Sequence, residues 1–234
     1  MWNVPLTDIA VSNDKGDLRH VTEAQGWPNS IMTRAAFLDS GSTLSILPGN
    51  LVEDIGKDFE VVLYSVNKTM DVALIPCKYG TTDAAKDGSV SFEFGSDVVI
   101  NVPVHQLVYD IGKEAIEAVT GTLSNLDDLP FELDQTCLFG LQAMPFTGVP
   151  LPNIVAVLGH NVLRSAYIVF DADNLVVGIA QANQKSSETN IVELKAGQKE
   201  LPRLKGTNNG GQCFDFHPLL PFPARSARRG LSSC

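Results

Sequence analysis

Apolar residues recur with a period near two along much of the chain, which predicts strands. Over residues 4–11 the alternation is imperfect: Val4, Leu6, Ile9 and Val11 are apolar, with Thr7 and Asp8 between them. Residues 13–30 are rich in Asn, Asp, Gly and Pro and read as a loop or a long hairpin connection. Ala35-Ala36-Phe37-Leu38 is a short apolar run. It ends in the polar turn Asp39-Ser40-Gly41-Ser42-Thr43, after which Leu44, Ile46 and Leu47 resume, so the pattern is strand, tight turn, strand. Pro48 then opens a predicted helix that runs to Gly56, with Leu51, Val52 and Ile55 on one face. Strands are predicted at 71–76, 89–94 and 97–102, the last two joined as a hairpin through Gly95-Ser96. Residues 113–119 suit a short helix, and 125–134 form an acidic loop. Residues 154–159 are an apolar strand ending in Gly159, followed by a helical turn at 162–165. A hairpin of 167–171 and 175–180 turns at Asp173-Asn174. The predicted fold class is mainly β, with short helices.

Composition adds a boundary. The 234 residues are 44% hydrophobic and 19% charged, which is ordinary for a globular protein with a sizeable core. Periodicity is lost after residue 184, and the charge changes sign there. Residues 1–184 carry 23 acidic and 9 basic side chains, a net of -14, whereas 185–234 carry 4 and 8, a net of +4. The expected organisation is a body at 1–184 and a flexible tail at 185–234, with Gly- and Pro-rich stretches at 206–211 and 218–223.

The overall charge of -10 argues against a nucleic-acid partner, because phosphate contacts need clustered Lys and Arg. A body poor in Lys and Arg suits an acidic medium, where it gathers little positive self-repulsion. No apolar run reaches the roughly 18 to 20 residues of a membrane span. Residues 1–5 lack the basic and apolar regions of a secretory signal. No Cys or His spacing builds a zinc site, and no metal or cofactor is expected. The four cysteines, Cys77, Cys137, Cys213 and Cys234, allow three pairings. On residues alone, Cys77 and Cys137 stand equally as a bridge or as two buried thiols. Asn67-Lys68-Thr69 is a glycosylation sequon.

Asp39 is the candidate for chemistry. Leu38 and Leu44 place its turn at the edge of a hydrophobic core, where a carboxylate is partly desolvated. The Ser40, Ser42 and Thr43 hydroxyls and the Gly41 and Ser42 amides stand ready to orient it, and Gly41 lets the backbone approach without a Cβ. Alone, Asp-Ser-Gly between two strands marks only a β-turn. A second stretch, about 120 residues on, changes that reading. It comprises Val155-Ala156-Val157-Leu158-Gly159, Leu163-Arg164-Ser165-Ala166-Tyr167 and Val177-Gly178-Ile179-Ala180. With Phe37-Leu38-Asp39-Ser40-Gly41-Ser42-Thr43-Leu44, this closely resembles the C-terminal lobe of pepsin-like aspartic proteases. The Leu-Arg-Ser-Ala-Tyr wording is most similar to fungal secreted or cell-surface members. The resemblance covers about residues 2–182.

The resemblance implies one lobe of the double-β-barrel acid protease fold and an aspartic endopeptidase acting on extended peptide or protein substrates. Asp39 matches the second catalytic aspartate. Ser40 matches the hydroxyl that locks the two lobes' active-site loops, Gly41 the turn glycine, and Ser42 the hydroxyl bonded to the catalytic carboxylate. Thr43 continues that loop, and Gly159 matches the glycine that crosses beneath it. Cys77 and Cys137 match the lobe's disulfide, which implies an oxidising compartment, either extracellular or cell-surface with a vacuole as a further address. The family mechanism uses two aspartates that share a proton, whereas the chain has a single Asp-Ser-Gly and no Asp-Thr-Gly. The expected partner is therefore an N-terminal lobe missing from these residues. A homodimer with facing Asp39 residues is disfavoured, because a lobe of this kind is shaped to meet a different one. His160-Asn161 departs from the family, which carries an Asp and then a variable residue there, and His160 is read as a surface residue. The alternative reading is a catalytically inactive pseudoprotease lobe that binds peptides or a partner protein.

Overall fold

The computed structural model describes residues 2–13, 15–21, 35–67, 70–81, 88–95, 98–120, 129–144, 154–185, 187, 193 and 212–215. Three sheets and three short helices account for most of them. Strand β1 (Asn3–Ser12) buries Val4 and Leu6, then Ile9 and Val11. The inward parity switches from even to odd, and its pairing with β7 (Ser89–Phe94) shifts register between Leu6 and Asp8. The imperfect alternation in the sequence is this bulge, since one extra residue exchanges the two faces. The Thr7 hydroxyl donates to the Glu93 and Gly95 carbonyls at the irregularity, at 3.1 and 2.8 Å. Strand β8 (Val98–Pro103) completes the predicted hairpin with β7, Phe94 opposite Val98, and Gly95 takes a positive φ of 64° at its turn.

The large sheet has the order β11-β4-β12-β3-β1-β7-β8, with β2 (Leu18–His20) added along the far end of β1. Its informative part is the middle. Strand β3 (Ala35–Leu38) and β4 (Ser45–Leu47) are joined by only residues 39–44, yet they are not neighbours. Strand β12 (Ile154–Leu158) lies between them, parallel to β3 and antiparallel to β4. The short connection therefore has to pass over the end of β12. Strand β11 (Leu141–Ala143) closes this side by pairing parallel with β4.

A second sheet, β5-β6-β10-β9, comprises β5 (Val62–Asn67), β6 (Met70–Pro76), β9 (Val108–Tyr109) and β10 (Thr136–Phe139). Only β6 among these was legible beforehand. The Cys77–Cys137 disulfide joins the end of β6 to β10, with Cα atoms 5.0 Å apart. The third sheet contains β13 (Ala166–Asp171) and β14 (Val176–Gln181), the predicted hairpin, plus β15 (Gln212–Asp215). That last strand falls inside the segment expected to be a tail without regular structure, and it pairs antiparallel with β14. The rest of that segment lies almost wholly outside the described residues, as do Lys68 and Thr69 of the sequon and residues 22–30 of the expected 13–30 loop.

Helix α1 (Gly49–Gly56) starts one residue after Pro48, which caps it by accepting the Leu51 and Val52 amides at 3.0 and 3.1 Å. Its buried face carries Leu51, Val52 and Ile55 and also Asp54. A carboxylate on an apolar face needs partners. Arg19 reaches from β2 to donate to Asp54 Oδ2 at 3.0 Å and to its carbonyl at 2.8 Å, and it also pairs with Asp58. Lys57 Nζ donates to Asp54 Oδ1 at 2.7 Å. Burial pushes the Asp54 carboxyl up, but the Lys57 hydrogen bond and the Arg19 charge outweigh it and hold the carboxyl below its ordinary 3.8. The unfolded chain therefore takes up this proton first on acidification. The contribution of the cluster is complete well above pH 3.8 and drains away as pH falls through the lower folded value. Asp54→Asn is expected to cost about 1 kcal/mol at neutral pH, held low by solvent screening at the partly exposed Arg19. It should also flatten the acid side of the stability profile, which urea midpoints from pH 7 to pH 3 will show.

Helix α2 (Lys113–Thr120), expected at 113–119, packs on the second sheet, with Ile116 buried in a small cluster with Val72 and Leu74. Helix α3 (His160–Leu163) begins directly after β12, two residues earlier than the predicted turn. The main core is continuous from β1 through α1, β7, β8 and β12 to β14.

Candidate active site

Asp39 is the first residue after β3, at the point where the chain must cross over β12. Its amide donates to the Leu158 carbonyl at 2.9 Å, which continues the ladder between β3 and β12 by one rung. The side chain is half-buried. Both carboxylate oxygens are engaged from within the turn. The Gly41 amide donates to Oδ1 at 3.0 Å, and the Ser42 hydroxyl donates to Oδ2 at 2.6 Å. The short second bond is of charge-assisted type, and the pair of donors fixes the plane of the carboxylate. A Cβ on Gly41 would stand 3.3 Å from Asp39 Oδ1, closer than an ordinary contact. Glycine here leaves the carboxylate room to accept the amide.

Ser40 and Thr43 are exposed. Thr43 contributes its backbone carbonyl, which accepts the Asn161 amide at 3.2 Å, and the Ser42 carbonyl accepts the His160 amide at 2.7 Å. The loop is thus strapped to the start of α3 by main-chain bonds. His160 takes part only through its backbone, and its side chain is exposed, as expected for a surface residue.

Gly159 lies at the crossing. A Cβ built there would meet the Leu44 carbonyl oxygen at 2.2 Å and the Ser42 carbonyl oxygen at 2.8 Å. Both obstacles are backbone, so no rotamer change relieves them. Gly159→Ala is expected to destabilise the protein by about 3 kcal/mol, at the upper end of overpacking costs. The urea unfolding midpoint measures this, and a loss under about 1 kcal/mol would mean that loop 39–44 can lift away from β12.

The sequence reading missed three members of this arrangement. Ser45, Gly140 and Asn161 lie beneath the loop, and the Ser45 and Asn161 side chains are fully buried. The Ser45 hydroxyl donates to Asn161 Oδ1 at 2.7 Å and accepts the Gly159 amide at 2.8 Å. Asn161 Nδ2 donates to the Gly140 carbonyl at 2.7 Å. One signal was present: in Ser45-Ile46-Leu47 the serine has the inward parity of Leu47. The structure brings Asp39, Gly41, Ser42 and Gly159 together, leaves Ser40 exposed, and places the Cys77–Cys137 bridge in the second sheet. Among the described residues, no group of three or more His, Cys, Asp or Glu gathers that could hold a metal ion.

The segments that build the Asp39 turn and its crossing over β12 all fall inside one family match. The family model for eukaryotic aspartyl proteases matches residues 1–182, and the chain belongs to that family. It is 30% identical over 200 residues to a probable aspartic-type endopeptidase, opsB, of Aspergillus fumigatus, covering 85% of this chain and 34% of that protein. It is 28% identical to the aspartic proteinase yapsin-3 of Saccharomyces cerevisiae, covering 89% of this chain and 32% of that one. Secreted aspartic protease 9 of Candida albicans is 24% identical, over 80% of this chain and 27% of its own length. The chain thus spans about a third of the curated relatives it matches. Among solved structures, the aspartic proteinase of Irpex lacteus aligns at a TM-score of 0.45 with 14% identity, over 81% of this chain and 45% of that one.

Proposed function

We propose that this chain supplies the Asp39 half of an aspartic-type endopeptidase that hydrolyses extended peptides. The observation that carries the reading is the Asp39 carboxylate itself, held in a fixed plane by the Gly41 amide and the Ser42 hydroxyl at a half-buried position. Among the described residues no cation pairs with the Asp39 carboxylate, and a turn with a merely structural task has no need to hold a carboxylate without one.

The second carboxyl comes from a lobe of different sequence that meets residues 1–184 across a peptide-binding cleft. As in aspartic proteases generally, two carboxyls about 3 Å apart share one proton, so the pair titrates as a unit. The ionised member takes a proton from a bound water, and the oxygen of that water attacks the peptide carbonyl carbon. The protonated member donates to the carbonyl oxygen. When the tetrahedral diol collapses, the carboxyl that took the water proton gives it to the amide nitrogen, the C–N bond breaks and the amine leaves. The other carboxylate recovers a proton from a hydroxyl of the diol as the carboxyl product forms. No metal or cofactor enters these steps. An oxidising, extracellular or cell-surface setting is supported by the disulfide and by a relative named as secreted.

The test is peptide hydrolysis by the complete polypeptide that carries these residues, followed between about pH 3 and 5, where a dyad holds one proton. Cleavage at internal peptide bonds supports the reading. A folded, complete protein that binds peptides without cleaving them would instead establish the inactive binding lobe.

A further inference from the structure

We infer that Asn161, acting with Ser45, is the residue pair that sets the orientation of the Asp39 turn, a role that rests on Asp39 being the catalytic carboxyl. Both side chains have no exposed surface, and their polar atoms form one closed network. Asn161 Oδ1 accepts the Ser45 hydroxyl at 2.7 Å and the Val162 amide at 3.0 Å, and Nδ2 donates to the Gly140 carbonyl at 2.7 Å. Only this orientation of the amide puts its oxygen against donors and its nitrogen against an acceptor. The Gly140 carbonyl also accepts the Ser45 amide at 3.0 Å, and the Gly140 amide donates to Leu107 at 2.6 Å.

Four separate segments meet here: the start of β4, the step from Gly159 into α3, the bend between β10 and β11, and Leu107. For stability alone, apolar side chains of the same shape would serve about as well. What the polar pair adds is direction. The Ser45 oxygen holds the Gly159 amide, so the chain leaving β12 has one rotation about that glycine. The next amide, that of His160, then meets the Ser42 carbonyl at 2.7 Å. Ser42 in turn donates to Asp39. Asn161 reaches the carboxylate through this sequence of bonds and touches no substrate, so it is a positioning residue.

The experiment compares Asn161→Ala and Ser45→Ala, each alone and in a Ser42→Ala background, in the complete protein. Two readouts are used: peptide hydrolysis at acid pH and amide hydrogen exchange. Each single variant is expected to lower kcat by about 10- to 100-fold with KM within about twofold, since only placement of the reacting group is lost. In the Ser42→Ala background the further loss should shrink, because one of the two bonds by which the turn holds the Asp39 carboxylate is already gone and only the Gly41 amide remains. Exchange should quicken at Ser42 and Gly159 and stay unchanged at Phe92 and Ile100. An unchanged kcat in a folded variant, an equal loss without Ser42, or exchange that quickens everywhere would overturn the inference. Should Asn161→Ala fail to fold, Ser45→Ala removes a single oxygen and carries the same test. If Asp39→Asn leaves hydrolysis intact, the endopeptidase reading fails, while the exchange pattern still decides whether the pair orients the turn.

Discussion

Asp39→Asn is expected to lower peptide hydrolysis by about 10²- to 10⁴-fold while leaving the fold in place. The substitution keeps the shape of the side chain and removes its capacity to hold or give up a proton. The amide nitrogen of asparagine has to face either the Gly41 amide or the Ser42 hydroxyl, both of which donate in the native turn. The serine hydroxyl can rotate and accept instead, so one contact inverts and the other survives. Because the side chain is half-buried, water satisfies what remains. The stability cost should therefore stay within about 1 kcal/mol. Initial rates at acid pH, with urea midpoints of both proteins, separate the two effects. A large loss of rate with a small loss of stability assigns the chemistry to the carboxylate. Retained hydrolysis would remove Asp39 from the mechanism.

Removing the Cys77–Cys137 bridge is expected to have the largest effect on stability. The two cysteines are 60 residues apart in sequence. Opening a loop of that length restores conformational freedom to the unfolded chain worth about 4 kcal/mol. For a chain of this size the melting temperature should drop by about 8 to 16 °C. Local packing changes less. Cys137 is buried, but alanine fills most of its space, and β6 and β10 remain paired through Cys137 opposite Ile75. Thermal unfolding of the Cys77→Ala, Cys137→Ala double variant measures the effect, and the native protein in reductant should approach the same value. A drop under about 1 kcal/mol would show that the unfolded chain already holds these segments close.

Much of the body was legible beforehand. The inward parities of β1, the hairpin of β7 and β8, helix α1 and the hairpin of β13 and β14 all follow from residues adjacent in sequence. The bulge in β1 was even visible as a fault in the alternation. Strands β2, β5, β9, β10, β11 and β15 were not legible, β2 falling inside the expected loop of 13–30. Three of these, β2, β9 and β11, have only two or three residues, too few to show a period. Strand β10 follows an acidic stretch that reads as loop, and β15 follows a glycine-rich one. Each becomes a strand because a neighbour offers a ladder of free amides and carbonyls, which is a property of the sheet rather than of the segment.

The site divides the same way. Asp39, Gly41, Ser42 and Gly159 were found because their order along the chain resembles a family pattern. Ser45 and Asn161 were not, although they are the fully buried polar side chains beneath the loop. Their hydrogen bond spans 116 positions. It exists because β12 inserts between β3 and β4, and no local pattern records that insertion. The sequence by itself determined which segments alternate, where the turn carrying Asp39 falls, how the charge is distributed, and the family. Only the tertiary structure decided that the 39–44 connection crosses β12, that Gly159 has no room for a Cβ, and that a serine and an asparagine meet under the carboxylate. The physical reason is that a buried polar group is tolerable only where its partners are, and those partners come from segments that the chain brings together after more than a hundred intervening residues.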